Sequence, residues 1–97
     1  MYTVYILLCR DGSLYTGITT NMERRFALHQ AGKASKYTRS RKVVKILYQE
    51  QRRKKSTALK REAEIKKMSR QEKLIVVGLY INRHPELGKR NNPYMLL

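Results

Sequence analysis

The sequence predicts a single α+β domain with the element order ββαβαα. An apolar N-terminal run closes on Asp11-Gly12, and two Ser/Thr-x-x-Glu signatures open helical segments. The 97 residues leave room for one core, because a chain of this length buries only about two thirds of its unfolded surface. Residues Tyr2 to Cys9 are β-branched, aromatic or apolar at nearly every position, so they read as a strand covered on both faces. Asp11-Gly12 is the signal for a two-residue type I′ turn, both of whose central positions need positive φ; Ser13 to Ile18 is the returning strand. Thr20-Asn21-Met22-Glu23 has the capping-box pattern and opens a helix to about Ala31, with Gly32 as its stop. Residues 33–41 mix small and basic side chains without a period and read as a loop. Val43 to Tyr48 is a third strand, and Gln51 to Lys55 is a second break. Ser56 or Thr57 caps a helix through about Met68, and Ser69-Arg70-Gln71-Glu72 opens another to about Asn82. His84-Pro85 ends it, so the domain is expected over residues 1–83 and a loose tail over residues 84–97.

The charge narrows the partner. With 22 Lys+Arg against 7 Asp+Glu the chain carries +15, and residues 33–61 hold +11 of it. Such an excess works against the folded state unless a polyanion shares the surface, which puts nucleic acid first, ahead of a membrane face or an acidic protein. The 41% hydrophobic content excludes a disordered basic tail. The single cysteine, Cys9, excludes an internal disulfide framework and a cysteine-built zinc site, as expected of a reducing compartment. No run of 18 apolar residues and no charged-then-apolar leader is present, so the expectation is a soluble cytoplasmic protein with no membrane partner.

Few residues stand out as chemical. Glu62 lies four residues after Ala58, three after Leu59 and three before Ile65, so it projects from the apolar face of its helix while Glu64 faces solvent. A carboxylate facing a core needs a cation. The pattern leaves two: one of the many arginines, in an internal salt bridge, or a hard divalent metal held by one protein oxygen plus waters and substrate phosphate, which suits magnesium. Arg25 and His29, four apart, share a helix face and either brace a phosphate or stand as a solvated Arg beside a rim His. Tyr5 and Tyr15 fall on the two strands of one hairpin, either as core or as reacting groups. Gly17 is out of place in a strand unless backbone or ligand approaches there.

Taken together, these residues resemble the GIY-YIG nuclease superfamily, and the short chain is similar to its small, single-domain bacterial UPF0213-like group. Val4-Tyr5-Ile6 stands at the first tripeptide and Tyr15-Thr16-Gly17 at the second, with Val4 in place of glycine and Thr16 in place of isoleucine. Thr19 to His29 matches the following helix, with Arg25 at the catalytic arginine and His29 at a frequent histidine; Ala58 to Lys66 matches the helix of the metal-binding glutamate, Glu62. The agreement runs from about residue 2 to residue 73. The resemblance implies a three-stranded antiparallel sheet flanked by helices, and metal-dependent hydrolysis of DNA phosphodiesters, an endonuclease activity of the kind used in repair or recombination. In that scheme Tyr5 is the general base or relay, with Tyr15 hydrogen-bonding nearby. Glu62 holds one Mg2+ (or Mn2+), Arg25 opposes the charge on the phosphoryl group, and His29 positions the water or the phosphate. A free tyrosine has a pKa of about 10, so Tyr5 serves near neutral pH only if cations such as the metal and Arg25 favour its ionised form. Phosphate contacts are assigned to Lys33, Lys36, Arg39, Arg41, Lys42, Arg52, Arg53, Lys54 and Lys55. Substrate selection falls to this basic segment or to a partner protein. The alternatives are a non-catalytic nucleic-acid-binding module with the same fold, acting on DNA or RNA, and a basic scaffold for an acidic protein.

Overall fold

The apolar run at the N-terminus becomes the central strand of the domain because both of its faces find helices to bury against. In the computed structural model, which describes residues 1–84, β1 (Tyr2–Cys9) lies between β2 (Leu14–Thr19) and β3 (Val43–Arg52) in one antiparallel sheet of order β2-β1-β3. The helices are α1 (Met22–Gln30), α2 (Lys36–Arg41), α3 (Lys55–Lys66) and α4 (Arg70–Arg83). The α+β class and the order ββαβαα are as expected, with α2 added inside the segment that reads as a loop. One face of β1 sends Val4 and Ile6 into a core with Leu47, Tyr48, Ala58, Ile65 and Val77, under α3 and α4. The other sends Tyr5 and Leu7 against Ile46, Met22 and Phe26, under α1. Tyr5 and the helix of Arg25 and His29 share the second face, whereas α3, the helix of Glu62, packs on the first.

Several local expectations are corrected. The hairpin turn is not type I′, since Gly12 has φ +85° while Asp11 keeps negative φ. The Gly12 amide donates to the Cys9 carbonyl at 2.9 Å and the Cys9 amide to the Ser13 carbonyl at 2.9 Å, a turn with a left-handed glycine at its bulge. The cap of α1 is Asn21, one residue after Thr20, with its Oδ1 accepting the Arg24 amide at 3.0 Å; Glu23 is exposed and takes no part. At the other end the prediction holds: the Lys33 amide bonds the Leu28 carbonyl and the Gly32 amide the His29 carbonyl, a Schellman closure. Helix α3 starts at Lys55 behind Lys54, without a side-chain cap from Ser56 or Thr57. The Ser69–Glu72 capping box of α4 is present in both directions.

Strand β3 is longer than its apolar part. Gln49, Glu50, Gln51 and Arg52 continue it as an edge, pairing with Tyr5, Val4, Thr3 and Tyr2. A register shift at Leu47 lets Leu47 and Tyr48 both enter the α3–α4 core. The tail expected over residues 84–97 lies outside the described residues apart from His84. No helix among the described residues is long and apolar enough to cross a membrane, and Cys9 is a buried free thiol.

Candidate active site

Register decides how the two tyrosines meet. Tyr5 stands opposite Gly17 and Tyr15 opposite Leu7, so Tyr5 and Tyr15 are diagonal neighbours on one face, with ring centroids 6.4 Å apart. The hydroxyl end of the Tyr5 ring lies over Gly17. A Cβ at residue 17 would stand 2.5 Å from Cζ and 3.0 Å from Cε2, with the hydroxyl nearer still. That contact is the close approach that a glycine inside a strand implies.

From α1, His29 enters the same pocket. It is 2% exposed, and its Nε2 lies 2.8 Å from the Tyr5 hydroxyl. Its Nδ1 lies 2.8 Å from Oγ1 of Thr38, which is fully buried on α2. Ser35 completes this line: its Oγ caps α2 by accepting the Thr38 amide at 3.1 Å and also lies 2.8 Å from Thr38 Oγ1. Tyr15 packs edge-on to His29 at 5.1 Å and next to Tyr37 at 5.6 Å, and the Arg41 guanidinium lies over the Tyr37 ring at 4.3 Å. Ser35 and Thr38 escaped the sequence reading. The available signal was a Ser cap three residues ahead of a Thr, but six helical residues without an apolar period look like a loop.

Of the cations expected to favour ionised Tyr5, Arg25 acts in that direction but does not by itself overcome burial. Burial pushes the Tyr5 hydroxyl up to about 12, with Tyr15 and Glu62 adding to the rise; the nearby Arg25 guanidinium opposes it by charge and by hydrogen bonding and does not win. Burial, helped by the Arg25 charge, brings His29 down to about 4, so the imidazole is neutral at physiological pH.

Glu62, on α3, is linked to the tyrosine site by its charge, which adds to the rise at Tyr5. It lies between the buried Ala58 and Ile65, with its side chain 15% exposed, while Glu64 is exposed as expected and Leu59 is exposed against expectation. Its ion partner is Lys66, one turn on at 3.3 Å, and not an arginine. Lys66 is 54% exposed and free to swing into solvent, which would release the carboxylate for another cation. Among the described residues no three His, Cys, Asp or Glu side chains could share a metal ion. A lone hard carboxylate suits magnesium that keeps waters and takes a phosphate oxygen.

The basic segment does not form one surface. Lys33 and α2 lie at the hairpin end of the sheet, where Arg41 pairs with Asp11 at 2.7 Å. Arg53, Lys54 and Lys55 follow the far end of β3, ten residues and roughly 30 Å away. Arg52 is engaged by Glu50, which also accepts from Arg61 at 3.0 Å and from Tyr48. Lys33, Lys36, Arg39, Lys42, Arg53, Lys54 and Lys55 are exposed without an acidic partner among the described residues.

A family profile for the GIY-YIG catalytic domain matches residues 1–74, a span that includes all five candidate residues. The chain belongs to the GIY-YIG family. A UPF0213 protein of Staphylococcus haemolyticus is 55% identical over 74 residues, which is 76% of this chain and 90% of that protein. Another, from Natronomonas pharaonis, is 53% identical over 70 residues, 72% of this chain and 82% of its own length. The solution NMR structure of a UPF0213 protein from Bacillus halodurans superposes with a TM-score of 0.53 at 38% identity, covering 95% of this chain and 99% of that one. Within this GIY-YIG domain the two departures from the tripeptides lie on the α3–α4 face of the sheet. Val4 is core, and Thr16 buries a hydroxyl that has no partner among the described residues.

Proposed function

We propose that this GIY-YIG domain hydrolyses DNA phosphodiester bonds as a metal-dependent endonuclease. The observation that carries the reading is the Tyr5–His29 hydrogen bond under the influence of Arg25, since a buried tyrosine hydroxyl 2.8 Å from a neutral imidazole is a ready proton pair. With Arg25 as the nearby cation, burial still holds the Tyr5 proton in place, so on that balance Tyr5 accepts one from water only as it gives one away. Oxygen of the attacking water bonds to phosphorus, the water's proton passes to the Tyr5 oxygen, and the Tyr5 proton passes to His29 Nε2. The phosphorus–oxygen bond to the leaving strand breaks in line, its oxygen takes a proton from solvent, and the proton held on His29 returns through Tyr5 to solvent, restoring the resting pair. His29, with both nitrogens engaged inside the protein, acts on Tyr5 and does not touch water or phosphate as the family resemblance implied. Arg25 pairs with the phosphoryl oxygens, where its planar fork suits the geometry. Glu62 would hold the magnesium or manganese ion, which supplies charge neutralisation at the leaving oxygen. DNA is gripped at both ends of the sheet by Lys33, Lys36, Arg39 and Lys42 and by Arg53, Lys54 and Lys55, with Tyr5 on β1 between the two groups.

A second reading has its own observation: Lys66 already neutralises Glu62, as it would in a binding module that has no metal. The test is incubation of the protein with supercoiled, single-stranded and branched DNA in magnesium, beside Glu62→Ala and Arg25→Ala. The expected result is nicking by the wild type and a loss of about 100-fold or more in each variant. Equal nicking by all three removes the catalytic assignment. Steep salt-dependent binding by all three with no nicking selects the binding module.

A further inference from the structure

We propose that Thr38 is a positioning residue for this reaction: it fixes His29 in the Nδ1–H tautomer, so that the bare Nε2 faces the Tyr5 hydroxyl and takes its proton. The functional half of this inference rests on the hydrolytic reading above, whereas the tautomer stands or falls without any cleavage.

His29 is almost wholly enclosed, and its two ring nitrogens meet two hydroxyls, Tyr5 on one side and Thr38 on the other, each at 2.8 Å. A neutral imidazole carries one N–H, so only two proton arrangements satisfy both contacts. In the first, Nδ1–H donates to Thr38 Oγ1 and the Tyr5 O–H donates to Nε2. In the second, Thr38 donates to Nδ1 and Nε2–H donates to the Tyr5 oxygen. The surroundings separate them. The Arg25 guanidinium, whose charge favours the ionised form of Tyr5, has protons only to give and offers the Tyr5 hydroxyl no acceptor. In the second arrangement the Tyr5 oxygen accepts from His29, and its own buried proton is left without an acceptor among the described residues, which is the costly case. In the first, the Tyr5 proton goes to Nε2, so both contacts of the imidazole are matched. Thr38 decides the other side of the ring: its hydroxyl donates to the Ser35 backbone oxygen at 3.4 Å, so toward Nδ1 at 2.8 Å it presents a lone pair and accepts the N–H.

The fold holds Thr38 firmly in this place. Ser35 caps α2 through the Thr38 amide and accepts the Arg39 amide at 3.1 Å, and the Arg10 amide donates to the Arg41 and Lys42 carbonyls at 3.2 and 2.7 Å, tying α2 to the hairpin. The short helix therefore has a purpose beyond carrying basic residues: it delivers one buried hydroxyl to the far side of the imidazole.

The experiment is a two-bond proton–nitrogen NMR correlation of the imidazole at neutral pH. It uses a His84→Asn background, which leaves His29 as the sole imidazole of a chain that has 2 histidines. The expected spectrum shows a protonated Nδ1 and a bare Nε2. Thr38→Val, which keeps the shape and removes the oxygen, should lose that preference, and Thr38→Ser should restore it. A wild-type spectrum with the proton on Nε2 overturns the proposal by itself, even if Thr38→Val fails to fold. So does a folded Thr38→Val that keeps the wild-type tautomer. In the nicking assay, Thr38→Val should lower kcat by about 100-fold, the lower end of what acid–base partners contribute, with unchanged DNA affinity and recovery in Thr38→Ser. A wild-type kcat in Thr38→Val overturns the positioning role. If the tautomer is as expected and the wild type nicks nothing, the hydrolytic reading and the positioning role fall together while the tautomer assignment stands.

Discussion

Replacing Gly17 by alanine tests the geometry of the site without removing any group that reacts. The added Cβ would stand 2.5 Å from Tyr5 Cζ, a contact that real side chains do not keep, and 3.0 Å from Cε2. Tyr5 is 1% exposed and packed against Leu7, Ile46, Met22 and Phe26, so its ring has nowhere to go without strain. Overpacking of this kind costs about 1–3 kcal/mol. Moving the ring also breaks the buried bond to His29, for about 0.5–1.5 kcal/mol more. Against this, alanine is favoured over glycine in a strand interior by about 0.5–1 kcal/mol. The net loss is therefore about 0.5–4 kcal/mol, centred near 2, or a fall in Tm of roughly 10 °C for a domain this small. Urea unfolding of wild type, Gly17→Ala, Tyr5→Leu and the double variant measures it as a cycle. Leucine at residue 5 has no Cζ, Cε2 or hydroxyl, so Gly17→Ala should cost almost nothing in that background, giving an interaction energy of about 1 kcal/mol or more. Additive losses would refute the claim that the ring over Gly17 is what requires the glycine.

Two further outcomes follow from the same geometry. His29 sits at about 4 in the folded protein against about 6.5 in the unfolded chain, so on acidification the unfolded state binds its proton first. Stability should fall as pH drops from about 6.5 to about 4, by at most about 3 kcal/mol, and level off below; denaturant midpoints for wild type and His29→Gln should diverge over that window, and parallel curves would contradict it. Lys33→Ala with Lys36→Ala, and Lys54→Ala with Lys55→Ala, should each reduce the slope of log affinity for DNA against log salt by about 2, and together by about 4. An unchanged slope for either pair removes that end of the sheet from the interface.

What the sequence reveals follows the physics of each segment. Strand β1 is legible because burial on both faces leaves it no polar position to confuse the pattern, and α4 is legible because Ser69 and Glu72 satisfy each other's backbone partners. The four residues Gln49 to Arg52 form a strand for a reason outside their own composition: β1 supplies a ladder of unpaired backbone groups from Tyr5 to Tyr2, and polar residues can occupy an edge. Glu62 is legible as an inward carboxylate, but its partner is not, because Lys66 on the same face and the arginines are equal candidates by spacing. The least legible piece is α2. Its six residues include three cations and no apolar period, and they fold there because Ser35 closes the first turn and Thr38 finds His29.

That last pairing changes the meaning of the charge. Read as a linear segment, the +11 over residues 33–61 is a single grip beside the reacting groups. Folded, β3 divides it into two patches roughly 30 Å apart, with Tyr5 paired to Gln49 on the strand that separates them. A single patch would hold one stretch of phosphates and leave its direction across the site undefined. On the hydrolytic reading proposed above, two patches would define a line, and a backbone held at both ends would run past the Tyr5 site in a set direction. Losing one patch should therefore cost more in cleavage than in binding, because the remaining patch retains the DNA but no longer sets its path. Comparing kcat with Kd for the two lysine-pair variants decides this: a proportionate loss in both would mean that the charges only gather DNA and do not orient it.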